Sequence, residues 1–227
     1  MEVLAFDYGD VRIGYAIASK KMKMAFAKGN IQNDHLLKES LRDLVDRYKP
    51  DEIVVGVPLR KDMSFTLATD KALLFSKLVY ELIEMDVFLV DERYSTVYSQ
   101  TSLRYAGRTV KNSKAIIDSE SAKSIAEIYI HSPSWAFPFD LNTLDKSTLK
   151  SFIKQEASSV LYLQGGTRIF EVVKELDRSF SIYELNPYIY SVQRHLQIPE
   201  NVSVYGFRFS VPDGYQLCQQ GAHGSTG

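Results

Sequence analysis

At 227 residues, with 45% hydrophobic and 24% charged residues, the chain has a globular composition and room for one large domain or two small ones. A formal net charge of -1 gives no global electrostatic case for a polyanionic partner, so any nucleic-acid contact must come from local clusters. The single cysteine, Cys218, excludes an internal disulfide and a cysteine-rich zinc site. No apolar run reaches the ~20 residues of a membrane span, and a cytoplasmic protein with no signal peptide and no membrane partner is expected.

The chain opens on Val3-Leu4-Ala5-Phe6-Asp7-Tyr8-Gly9, an apolar strand that ends in a carboxylate and a glycine. A second strand is predicted over 11–18 after a tight turn at Gly9-Asp10, and a third over 22–31 after Lys20-Lys21. Asn33-Asp34 is a predicted N-cap for a helix carrying Leu37, Leu41, Leu44 and Val45, which stops at Lys49-Pro50. Glu52 to Pro58 is nearly all apolar, as in a strand buried on both faces. A polar loop with Arg60 and Lys61 leads to a second helix through Leu67, Ala72, Phe75 and Leu82. Val87 to Val90 is another buried strand, ending at Asp91-Glu92-Arg93. A third helix is predicted from Ser95-Thr96 to about Tyr105, then a basic loop over 107–114. A fourth helix is predicted from about Asp118 to His131.

The order β-β-β-α-β-α-β-α-α, with right-handed crossovers, places the later strands parallel to the first and gathers their carboxyl ends on one edge. Asp7, Asp91 and Glu92 stand there, and Asp118, opening a helix, can project onto the same edge. Carboxylates collected this way suit a hard divalent cation such as Mg2+, which takes oxygen ligands and shares them with substrate phosphates. The same residues read equally as a turn acid, a surface acid and a helix N-cap, with Ser121 at the third helical position. Two lysine- and arginine-rich stretches, Lys20 to Lys28 and Arg104 to Lys114, matter only if they flank the site.

The segments Phe6–Ala18, Ile53–Leu59, Val90–Thr96 and Ile116–Ile130 resemble the YqgF-type (RuvX) family of pre-16S rRNA nucleases and Holliday-junction-resolvase-like proteins. The resemblance covers residues 1 to about 131. It implies an α/β fold of the RNase H-like kind, a mixed sheet with flanking helices, and metal-dependent hydrolysis of phosphodiester bonds in structured nucleic acid, either RNA or branched DNA. By position it assigns Asp7, Glu92 and Asp118 as catalytic metal ligands for Mg2+ or Mn2+, with Asp91 as a neighbouring acid. It makes Arg12 and Arg93 motif arginines that either touch phosphate or lock carboxylates, and Arg104, Arg108, Lys111 and Lys114 phosphate contacts. Gly9 and Gly14 are explained by tight turns and close strand packing. Asp10-Val11 and the loop Arg60-Lys61-Asp62-Met63-Ser64 depart from the family pattern, which bears on substrate choice. A homodimer would suit a branched substrate with two equivalent strands. The competing reading is a non-catalytic nucleic-acid-binding protein of the same fold.

Beyond the domain at 1–132, residues 133–146 are expected to be a linker, with Trp135, Phe137 and Phe139 packed on the first domain. Residues 147–218 alternate strand and helix as a small Rossmann-like βαβ module that weakly resembles half of a methyltransferase-type unit. In that resemblance Gly165, Gly166 and Glu184 occupy cofactor positions, but a structural or partner-binding module is the preferred reading and no cofactor site is assigned. Residues 219–227 are expected to be a disordered tail.

Overall fold

A computed structural model describes residues 1–61, 65–94, 114–141, 146–155, 159–163, 167–176, 178–184 and 186–206. The chain divides into two compact units, Met1–Phe139 and Asp140–Gly227.

In the first unit, β1 (Glu2–Asp7), β2 (Arg12–Ser19) and β3 (Met24–Gln32) form an antiparallel meander. Helix α1 (Leu37–Tyr48) returns the chain to β4 (Glu52–Val57), which lies parallel to β1. Helix α2 (Leu67–Ile83) then leads to β5 (Val87–Asp91), parallel to β4. The strand order β3-β2-β1-β4-β5-β6 is that of the expected RNase H-like sheet, with β6 (Ala136–Pro138) added antiparallel to β5. Helix α3 (Lys114–His131) crosses β1, β2 and β3 on one face. Its Ile125, Ala126 and Tyr129 share a core with Val3, Ala5, Val54 and Val90. On the opposite face Phe6 meets Phe75 of α2 edge-on, with ring centres 5.6 Å apart. Val3 to Phe6 of β1 and Ile53 to Val57 of β4 are therefore free of polar side chains because both faces are covered.

Several sequence expectations change in detail. Asp34 does not cap α1. Its Oδ1 accepts from the Leu36 amide at 2.9 Å, closing a turn before the helix, whose N-cap is Leu36. α1 does end at Lys49, in a left-handed conformation (φ 45°) ahead of Pro50. α3 begins four residues before Asp118, because Lys114-Ala115-Ile116-Ile117 contains nothing that stops a helix. Asp118 is thus an interior residue of the second turn and not an N-cap. The third predicted helix, over 95–105, lies outside the described residues. The segment expected as a linker contributes β6, where Pro138 is tolerated because the strand is at the sheet edge. Phe139 is buried beside Tyr80, whereas Trp135 and Phe137 are exposed.

The second unit has α4 (Lys146–Gln155), β7 (Val160–Leu163), α5 (Ile169–Val173), β8 (Phe180–Glu184), α6 (Pro187–Gln193) and β9 (Val202–Gly206). Its three strands are all parallel, in the order β7-β8-β9, over a core of Leu149, Ile153, Leu161, Ile169, Val172, Phe180 and Ile182. The Asn201 amide closes the end of α5 by donating to the carbonyls of Val173, Leu176 and Arg178 at 3.1, 3.2 and 2.9 Å. Gly165, Gly166 and the expected tail lie outside the described residues. Glu184 is fully buried. It accepts from the Asn186 amide and from Gln193 Nε2, both at 3.0 Å.

Candidate active site

Strand alternation settles which way Asp7 faces. Val3 and Ala5 belong to the α3 side of β1 and Phe6 to the α2 side, so Asp7 follows Val3 and Ala5 toward α3. Its neighbour across the β1–β2 pair is Gly14. A β-carbon at Gly14 would overlap the main-chain carbonyl of Asp118. The missing side chain lets the second turn of α3 rest directly on β2, and Asp118 comes down beside Asp7. Gly14 therefore serves helix–sheet contact rather than strand packing.

Glu92 arrives from the other side, in the short 3-10 turn that follows β5. Gly56, on the adjacent strand β4, shares the α3 face with Val54. A β-carbon there would stand 2.7 Å from Glu92 Oε1 and would overlap the end of Ile125. A second glycine thus leaves room for a second carboxylate.

The electrostatics reflect this crowding. Burial, then the charge of Asp118, pushes the Asp7 carboxyl up to about 6, against a hydrogen bond from Ser121 that favours its ionised form. Burial, then the charges of Asp7 and Asp91, pushes Glu92 up to about 8. A nearby cation would draw both carboxyls back toward their ordinary range.

The two motif arginines hold carboxylates. Arg12 Nη2 lies 3.2 Å from Asp118 Oδ2, with both side chains about a quarter exposed. Asp91 is buried, and Arg93 Nε donates to its Oδ1 and Oδ2 at 3.0 and 2.8 Å. The Nη1 of Arg93 reaches on to the carbonyls of Arg60 and Lys61 at 3.4 and 3.2 Å. Asp10 pairs with Lys71 of α2, both carboxylate oxygens at 2.8 Å from Nζ. The Lys20–Lys28 stretch starts at the amino end of β1. There Lys20 pairs with Glu52 and Lys23 donates to the Ile130 carbonyl at 3.0 Å, so these two lysines tie the β2–β3 turn down.

Of the expected site residues, Asp7 feels the charge of Asp118, Glu92 feels those of Asp7 and Asp91, and Arg12 and Arg93 pair with Asp118 and Asp91. Arg104, Arg108 and Lys111 lie outside the described residues, and Lys114 opens α3. Ser121, Gly56 and Lys71 were not singled out as parts of the site. Glycines interrupting apolar strands at Gly14 and Gly56 were the available signal of a close approach.

Among the described residues, no three His, Cys, Asp or Glu side chains stand close enough to enclose an ion. The donor chemistry is nevertheless that of a hard divalent cation. Two half-buried, mutually repelling carboxylates offer hard oxygens, and Asp118 lies near Asp7 on its arginine, which matches a cation that keeps waters and substrate oxygens in its shell.

Comparison with known proteins gives a consistent frame for this geometry. Residues 1–132 match the family model described as RuvX, Holliday junction resolvase. A Burkholderia mallei protein named "Putative pre-16S rRNA nuclease" is 34% identical over 131 residues, covering 56% of this chain and 86% of the relative. A Maridesulfovibrio salexigens protein of the same name is 31% identical over 133 residues, covering 57% of this chain and 98% of the relative. A solved Thermus thermophilus RuvC, in complex with a Holliday junction substrate, aligns with 61% of this chain and 99% of its own at 9% identity. Its TM-score of 0.43 is too low to add to the assignment. The family model ends at residue 132, so the second unit stands outside it.

Proposed function

The chain belongs to the RuvX Holliday junction resolvase family through residues 1–132, and from that premise we propose that it is a divalent-metal-dependent endonuclease acting on structured nucleic acid. Asp7 and Glu92 hold the cation, and Asp118 completes the acidic set. The substrate is pre-16S rRNA or a four-way DNA junction, the two classes named among the relatives, with Mg2+ or Mn2+ as the ion and a homodimer as the working form on a branched substrate. The observation that carries this reading is the pair of glycines that make room for the acids: Gly14, opposite Asp7, lets Asp118 come down on β2, and Gly56 leaves space for Glu92.

A divalent cation bound there would activate water and stabilise the leaving oxygen of a phosphodiester. The chain's own groups prepare for it. Glu92 retains a proton on its carboxylate at neutral pH, so loading the site releases that proton and binding strengthens as pH rises. Arg12 orients Asp118 at the lip of the site. Arg93 neutralises Asp91 directly behind Glu92, fixing the end of β5 without adding a free negative charge. The α3 helix closes the face behind Asp7 and limits water there.

Cleavage assays on an rRNA precursor and on a four-way junction, with wild type and Asp7→Asn, test the proposal. Activity should require added metal, vanish with chelator, and fall at least 100-fold in the variant. Cleavage indifferent to both would overturn it.

A further inference from the structure

The loop after β4 is one place where this chain departs from the family pattern, and the structure gives Arg60 and Lys61 there a geometry. We propose that Arg60 and Lys61 form a phosphate-contacting ridge beside the acidic cluster, and that Arg93 holds that ridge in place. This rests on the nucleic-acid reading above and extends it to a surface no family motif marks.

Three observations carry it. First, the backbone at Arg60 and Lys61 is clipped to the catalytic edge: Arg93 Nη1 donates to both carbonyls, while its Nε is fixed on buried Asp91. Arg93 directly follows Glu92, so the loop is tied to the chain position next to a proposed ligand. Using the carbonyls as the anchor leaves both side chains for solvent. Second, Arg60 and Lys61 are exposed, and neither has an ion-pair partner among the described residues. Third, three other cations of this edge among the described residues are committed: Arg12 to Asp118, Arg93 to Asp91 and Lys71 to Asp10. Two adjacent cations, without an ion-pair partner among the described residues and with their own backbone pinned beside a phosphodiester-cleaving site, fit the backbone of the nucleic acid, which is contacted by charge without regard to sequence. Pinning matters, because a loop ordered beforehand loses less freedom on binding.

The test is equilibrium binding of a fluorescent four-way DNA junction and of a fluorescent RNA stem-loop across a salt series, with the full chain. Arg60→Ala/Lys61→Ala is compared with Lys21→Ala/Lys38→Ala, which removes the same charge from exposed positions elsewhere. The ridge variant should lower the log–log salt slope by about 1.8 on duplex arms, at 0.9 per phosphate contact, while the control leaves it unchanged. In cleavage assays it should raise KM about tenfold with kcat within about twofold, as expected for uniform binding lost from ground and transition states alike. A slope loss on only one probe still supports the ridge and names the strand type it serves. Equal slopes for ridge variant, control and wild type overturn it, even if cleavage depends on Asp7. Slope loss without any metal-dependent cleavage leaves the ridge standing and removes the nuclease reading instead.

Discussion

Gly14 and the main-chain carbonyl of Asp118 stand so close that no side chain fits between them. Strand β2 and helix α3 touch there backbone to backbone, one cross-strand step from Asp7. The contact fixes where Asp118 sits more firmly than its own ion pair with Arg12 does, since that pair is partly solvated.

Gly14→Ala is accordingly expected to lift the start of α3 off the sheet. The obstruction is a carbonyl in a helix, not the end of a flexible side chain, so relief requires the helix to move. Overpacking of this kind costs about 1–3 kcal/mol. Urea unfolding should show that loss, and metal-dependent cleavage should fall further than stability predicts because Asp118 is displaced. A variant of wild-type stability and activity would show that α3 adjusts freely.

A second expectation concerns pH. Glu92 titrates near 8 in the folded chain against an ordinary 4.5, so the folded state binds its proton more tightly than the unfolded state does. Its ionisation therefore costs nothing below about 4.5, costs progressively more between 4.5 and 8, and reaches its full cost above 8. Glu92→Gln removes that cost. In metal-free buffer the variant should match wild type near pH 4.5 and exceed it in melting temperature increasingly up to pH 8. Adding Mg2+ should raise the wild-type melting temperature and leave the variant nearly unmoved. A stability gap independent of pH would count against the buried, ionisable state of Glu92.

The sequence shows the edge but not its wiring. Asp7 and Glu92 were legible because each ends an apolar run, and parallel strands bring their carboxyl ends together whatever the loops do. Asp118 was legible as a member of the cluster but not as an interior helical residue, since the sequence before it lacks a stop signal. The pairings of Arg12 with Asp118 and Arg93 with Asp91 left two roles open in the sequence. A side chain's partner depends on rotamers and on distances between elements, which residue spacing does not encode. β6 was missed because three residues containing a proline carry almost no strand signal; only the edge of β5 makes them one.

At the opposite end of the sheet, Lys20, Glu52 and Tyr129 form a clasp. Tyr129 donates to Glu52 Oε2 at 2.9 Å, Lys20 pairs with the same carboxylate, and the ammonium lies 4.6 Å from the Tyr129 ring centre. Burial and the hydrogen bond to Glu52 hold the tyrosine hydroxyl protonated well above its usual range. Tyr129→Phe should cost about 1 kcal/mol, one net hydrogen bond. Lys20→Met should cost about 1–3 kcal/mol, less than a fully buried pair because solvent still reaches the lysine. Neither should change kcat or the salt dependence of nucleic-acid binding. A salt-slope change in Lys20→Met would instead place this basic stretch on the substrate path.

Glu184 makes the last case. Its place at the end of the second strand of a parallel sheet is where a nucleotide-binding unit presents an acid to ribose hydroxyls. Here both oxygens are engaged by the chain itself: one closes the turn that starts α6, the other fixes Gln193 at the end of that helix. A carboxylate with no exposure and two internal donors has nothing to offer a ligand without first giving up its own structure. Glu184→Ala is expected to destabilise the second unit by about 2–4 kcal/mol, since a buried donor on Gln193 and a part-buried one on Asn186 lose their acceptor. Trp135 is the only tryptophan and lies in the first unit, so its fluorescence transition should stay put while the far-ultraviolet dichroism of unfolding shifts to lower urea. Titration of wild type with S-adenosylmethionine or an adenine nucleotide should give no heat of binding. Measurable binding abolished by Glu184→Gln would reverse this assignment and make the acid a ligand.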